Sequence, residues 1–136
     1  MYEVFDHTAD LGLRIRAATL EALFTDAADA LFSLIVGGTG AIEACETVHL
    51  QVSGTDLDYL LFDWLNELLY TFESRHLLLK DFQVRIQDGQ LTAQAAGEPF
   101  DRQRHPMEHE VKAITYHGLI VEQRPDGWFA EVILDI

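Results

Sequence analysis

The sequence has 136 residues, enough for one domain that buries well over half of its unfolded surface. Its 49% hydrophobic and 24% charged residues are ordinary for a globular protein, whereas its formal net charge of −14 is not. With only nine Lys and Arg to attract them, phosphate backbones are repelled, which argues against autonomous RNA or DNA binding and leaves a basic protein partner, a divalent cation or plain solubility to account for the acidity.

The elements are read in chain order. Tyr2 to Phe5 alternates as a lead-in to His7-Thr8-Ala9-Asp10-Leu11-Gly12, after which Leu11, Leu13 and Ile15 alternate with Gly12, Arg14 and Arg16 as a half-buried strand. Thr19 can cap a helix to about Val36, because Leu20, Leu23, Phe24, Ala27, Leu31 and Leu34 step by three and four. Gly37-Gly38 ends it. Val48, Leu50 and Val52 mark a second strand. Ser53-Gly54-Thr55-Asp56 stops that strand and caps a second helix, with Asp58 placed to complete a capping box with Thr55. Its apolar stripe, from Leu57 through Trp64 to Phe72, is expected to pack on a sheet.

From Phe82 the alternation is that of strands, with Asp88-Gly89 as a hairpin turn before Leu91, Ala93 and Ala95. Residues 98–110 are polar and aperiodic, and read as a surface loop. Two last strands are expected at Thr115–Glu122 and Trp128–Leu134, joined by Pro125-Asp126-Gly127. The order predicts an α+β class and a single domain over 1–136, with two helices packed on one face of a mostly antiparallel sheet.

Cys45 is the single cysteine, which excludes an internal disulfide and a thiolate metal cluster; a packed, inert thiol is expected. No secretory signal is read and the longest apolar runs fall far short of a membrane span, so a cytoplasmic protein is expected.

Asp135-Ile136 closes the sequence, and an acidic side chain beside an α-carboxylate concentrates hard oxygen donors. If Asp10 lies beside that point, both ends of the chain make one cation site; spacing alone leaves Asp10 as a turn-former and Asp135 as a solvated acid. His105 and His109 are spaced like a pair on one helical face, but Pro106 disfavours a helix and no Cys or third clustered His completes a zinc set. Lys112 is either a solubilising edge lysine or a counter-charge for carboxylates. No nucleophile elbow, phosphate-binding loop or dinucleotide fingerprint is present, and Gly37-Gly38-Thr39-Gly40 follows a helix instead of opening one. Enzymatic activity is not expected.

Five segments together resemble the archease family: the His-Thr-Ala-Asp-Leu-Gly opening, the helix from Leu20, Trp64-Leu65-Asn66-Glu67-Leu68, Val111-Lys112-Ala113-Ile114-Thr115-Tyr116-His117, and the final Asp-Ile. The resemblance covers nearly the whole chain. It implies an archease-like fold, a strand-helix-strand module with an inserted helix-containing unit. The function it implies is that of a non-catalytic cofactor of the tRNA-splicing RNA ligase, one that promotes guanylylation of the ligase's active-site histidine, supports multiple turnover and broadens nucleotide use. It further implies a divalent-cation site, calcium with magnesium or manganese as alternatives, held by Asp10, Asp135 and Ile136. His7, Lys112 and His117 would support that site or touch the partner, and a guanine nucleotide would be shared at the interface. Two other readings stay open: a metal-dependent phosphoester hydrolase, and a chaperone or specificity modulator of a tRNA methyltransferase.

Overall fold

The computed structural model describes residues 1–7 and 10–136, with His7 described by its backbone alone, so that Thr8 and Ala9 of the opening motif lie outside the described residues. In chain order the elements are β1 (Tyr2–His7), β2 (Asp10–Ala17), α1 (Leu20–Val36), β3 (Glu46–Ser53), α2 (Leu57–Arg75), β4 (Leu77–Gln87), β5 (Gln90–Pro99), β6 (Ala113–Ile114), β7 (Ile120–Arg124) and β8 (Gly127–Asp135).

Capping chemistry sets the helix limits. Thr19 Oγ1 accepts the Ala22 N–H at 3.1 Å to open α1, and Gly37, at φ 76°, closes it by donating its N–H to the Ser33 carbonyl at 2.7 Å. In α2 the cap is Asp56, whose carboxylate accepts the N–H groups of Asp58 and Tyr59 at 2.9 and 3.3 Å. The Thr55–Asp58 capping box is therefore not formed. Asp58 instead accepts the Val121 N–H at 2.5 Å and ties the start of α2 to β7.

Every strand pairing among the described residues is antiparallel, and the expected α+β class holds, but the strands divide between two sheets. The first has the order β1-β2-β8-β6, with β7 also on β8; the second, β3-β5-β4, belongs to the segment 46–99 together with α2. This segment is the inserted helix-containing unit. Helix α1 packs on β2 of the first sheet and β4 of the second, and α2 spans β3 and β4 on one side and β6 and β7 on the other. The core where they meet includes Leu13, Ile15, Phe24, Leu31, Leu61, Leu65 and Val132, all fully buried. Trp64 is buried there too, its indole N–H donating to the Phe24 carbonyl at 3.0 Å, so that no donor is left unpaired between the helices.

Three expectations from the sequence are corrected. Strand β4 begins at Leu77, not Phe82: Leu77, Leu78 and Leu79 are all buried, so they do not alternate, and a register shift between Lys80 and Gln83 separates them from the alternating part. Of the strand expected at Thr115–Glu122 only residues 120–122 are extended, as the start of β7; the earlier residues form a turn with Gly118 at φ 61°, and the short β6 precedes them. Cys45 is exposed, not packed.

Strands β5 and β4 approach closely at Gly97, where a Cβ would collide with the Leu78 carbonyl of the neighbouring strand. Gly97→Ala is expected to destabilise by about 1–3 kcal/mol or more, because backbone and not a flexible side chain must move. A denaturant midpoint unchanged from wild type would refute that close packing.

Candidate functional site

The outer face of the first sheet, turned away from the helices, is a ladder of cross-strand rows. Arg14 faces Glu131 and the two form an ion pair at 2.7 Å, and Gly12 faces Phe5, whose ring lies where a Cβ would be. The last row on this face pairs Asp10 with Asp135. Directly opposed residues in an antiparallel ladder carry their side chains on the same side, and like charges so placed repel. Opposite charges therefore meet in one row and like charges in another, along the same two strands.

Asp10 and Ile136, though not Asp135, line a depression of about 740 Å³ together with Asp6, Leu11, Glu108, His109, Glu110 and Lys112. The chain is held there by backbone bonds: Lys112 N–H donates to the Asp135 carbonyl at 2.8 Å, and Ala113 pairs with Asp135. Buried Val111 fixes the alternation that turns Glu110 and Lys112 outward. Among the described residues, carboxylates dominate the lining, with no thiolate and a single imidazole, a donor set that suits calcium, magnesium or manganese better than zinc.

The structure thus brings together Asp10, Asp135, Ile136 and Lys112. The His7 backbone pairs with Asp10. His117 does not line the depression; it is exposed in the turn after β6. Asp6, Glu108, His109 and Glu110 complete the rim and were not singled out for it from sequence. Asp6 sits on a strand whose register the sequence leaves open, and the other three lie in an aperiodic stretch.

That stretch is less of a surface loop than its polarity suggests. Glu98 and His105 are buried, and the Glu98 carboxylate accepts hydrogen bonds from the Arg104 guanidinium and the Glu43 N–H. His105 Nδ1 accepts the Asp101 N–H at 3.0 Å, leaving Nε2 to face Glu98 at 3.2 Å. His105 and His109 therefore do not act as a pair. Farther on, Glu108 N–H donates to Ile35 at the end of α1 at 2.7 Å, so that the stretch reaches the depression on fixed anchors. Glu43, Cys45 and Glu98 also lie close enough to suggest a metal, but Arg104 pairs with both carboxylates and is itself the cation there.

With this geometry in view, comparison with known proteins gives a consistent result. Residues 2–136 match the archease protein family. The chain is 43% identical to the archease of Pyrococcus furiosus, covering 99% of this chain and 98% of that one, and 41% identical to the archease of Methanopyrus kandleri, covering 99% of each. The solution structure of Methanobacterium thermoautotrophicum protein 1598 superimposes with a TM-score of 0.87 at 36% identity, over 99% of this chain and 98% of that one. A crystal structure of an archease from Thermotoga maritima, described as a possible chaperone, shares the fold with a TM-score of 0.64 at 21% identity, over 100% of this chain and 98% of that one. The chain belongs to the archease family.

The hydrogen bond from Arg104 is the main cause that lowers the Glu98 carboxyl from its ordinary 4.5 to about 2, with the Glu43 N–H and His105 adding to it. A lowered folded-state value contributes stability that is present above pH 4.5 and is lost as pH falls toward 2. Glu98→Gln should therefore be less stable than wild type at neutral pH and should lose less on acidification through that window. Parallel acid-denaturation curves for the two proteins would refute the anchoring role of Glu98.

Proposed function

We propose that the chain is a non-catalytic, cytoplasmic cofactor of the tRNA-splicing RNA ligase, promoting guanylylation of the ligase's active-site histidine, sustaining multiple turnover and broadening its nucleotide use. The observation that carries this reading is the juxtaposition of Asp10 and Asp135 across β2 and β8, with Asp10 and Ile136 lining a depression that has an acidic rim. Family membership supports the partner, and the absence of an evident catalytic constellation in the sequence supports the accessory role.

In this reading Asp10, Asp135 and the main-chain oxygens of Ile136 hold a divalent cation, which when bound supplies positive charge to offset nucleotide phosphates. Calcium takes six to eight oxygens, so three residues leave places for water, a nucleotide phosphate or a partner's side chain. Lys112 at the rim limits the repulsion among Asp6, Glu108 and Glu110 and faces the incoming phosphates. The protein's share of the chemistry is positioning and charge compensation, which is most of what nucleotidyl transfer requires.

Added to a cognate ligase with limiting GTP and metal, the protein should raise the rate of ligase guanylylation at well below stoichiometric amounts, and Asp10→Ala should abolish the effect while its circular dichroism and melting curve stay near native. Phosphoester hydrolysis by the purified protein alone would overturn the accessory role, and full activation by Asp10→Ala would remove the residue from it.

Calcium should also raise the wild-type melting temperature in a concentration-dependent way, by about 2.7 kcal/mol of stabilisation at a hundred times its Kd. In Asp135→Asn, which keeps an oxygen but loses the charge, the same titration should need more calcium. Equal responses from the two proteins would take Asp135 out of the ligand set.

A further inference from the structure

Helix α2 presents a second stripe that the fold does not use. Opposite its core face run Tyr59, Asp63, Asn66 and Tyr70, in steps of four, three and four, and the two tyrosines are 54% and 65% exposed. Tyr116, 58% exposed, reaches over from the turn after β6, stacks on Phe62 with ring centroids 3.9 Å apart and meets Tyr59 edge-on at 5.6 Å. Three of the chain's four tyrosines thus stand in solvent on or beside one helix. A grouped aromatic surface of this kind is uncommon on a protein that meets no partner, and Tyr is enriched where binding energy concentrates.

The charges around it specify the partner's chemistry. Helix α2 carries Asp58, Asp63, Glu67 and Glu73 against a single base, Arg75. Asp63 and Glu67 are one turn apart, a mildly destabilising like-charge arrangement, and no ion pair among the described residues reaches either. Together with Val52, Ser53, Asn66 and Tyr70 they line an open groove of about 400 Å³. A guanidinium stacks on an aromatic face and binds carboxylates with its planar fork, so rings and carboxylates side by side are what arginine recognises. Nucleic acid and anionic membranes carry the wrong sign. A second copy of this chain is a poor fit too, since two copies that each carry a net charge of −14 repel one another.

We propose that the outer face of α2, with Tyr116, is a docking surface for an arginine-bearing surface of a partner protein. It lies near the acidic depression: Lys112 lines that depression, and the four residues from it to Tyr116 span at most about 14 Å. That the partner is the ligase rests on the function proposed above; the arginine chemistry does not.

The test compares wild type with Tyr59→Ala/Tyr116→Ala and with Tyr59→Ala/Tyr70→Ala, the latter removing only solvent-facing rings and so preserving the core. A labelled nona-arginine peptide, followed by anisotropy with nona-lysine as control, should bind both variants about fivefold or more weakly than wild type, while nona-lysine changes little. Unchanged nona-arginine binding in both variants, or an equal loss for nona-lysine, would overturn the docking surface. In a second arm, the RNA-splicing ligase should bind the tyrosine variants more weakly although their calcium titrations match wild type, and should bind Asp10→Ala normally. Ligase binding that is equal across all variants overturns the surface and leaves the ligase function standing. Ligase that does not bind wild type overturns the ligase function, and the peptide arm then decides the surface. A wild-type dimer in sedimentation that the tyrosine variants lose would assign the surface to a second copy and overturn the proposal.

Discussion

The β2–β8 ladder runs from Asp10↔Asp135 to Ala17↔Trp128, joining segments that lie more than a hundred residues apart, and most of the molecule depends on it. Strand β8 has β2 along one edge and both β6 and β7 along the other, so it is the central member of the first sheet. Its inner residues Ala130, Val132 and Leu134 bury against the helices while its outer residues Glu131 and Asp135 belong to the rows described above. One register therefore decides both the core and the site. A slip by one residue would exchange the two faces, exposing the apolar set and burying the acids, and this penalty is what makes the Asp10–Asp135 juxtaposition dependable.

Electrostatics on this acidic chain follows two patterns. Where a carboxylate is buried, as at Glu98, a guanidinium is beside it, since an unpaired charge taken out of water would be costly. Where carboxylates are exposed, as along the outer stripe of α2, water bears the cost and the charge stays available to a ligand. The Glu43–Cys45–Glu98 cluster belongs to the first pattern, which is why its ligand-like spacing does not make it resemble the Asp10–Asp135 row.

Much of the fold was legible in local chemistry. Thr19 and Gly37 bound α1 as their side chain and left-handed backbone require, and Asp88-Gly89, both at positive φ, turn β4 into β5. Less was legible where the decisive interaction is distant in sequence. The Thr55 cap looked sound locally, but Asp58 is claimed by Val121, and Asp56 does the capping. The Leu77–Leu79 run gives no alternation because both its faces are buried, and the division into two sheets is a property of pairing, which periodicity does not encode. For the site, the residues Asp10, Asp135 and Ile136 came from a family resemblance, while the Glu108–Glu110 part of the rim rests on backbone anchors to α1 and β8 that no spacing announces.

The central position of β8 also bears on how the chain reaches this state. The unit from β3 to β5 closes through neighbours in sequence, its β4–β5 hairpin above all, and can gain much of its structure early. The β1–β2 pair is also local, but it depends on a distant strand for its second edge. Until β8 arrives, the open edge of β2 exposes unpaired backbone and the inward side chains Leu11, Leu13 and Ile15, the kind of edge that recruits foreign strands. Helix α1, which follows β2 directly and packs on it, is the element placed to cover that apolar face during the interval. The β2 edge itself stays open until β8 closes it, so the step that completes the sheet is the same step that assembles the Asp10–Asp135 row, and an incompletely folded chain cannot present the site.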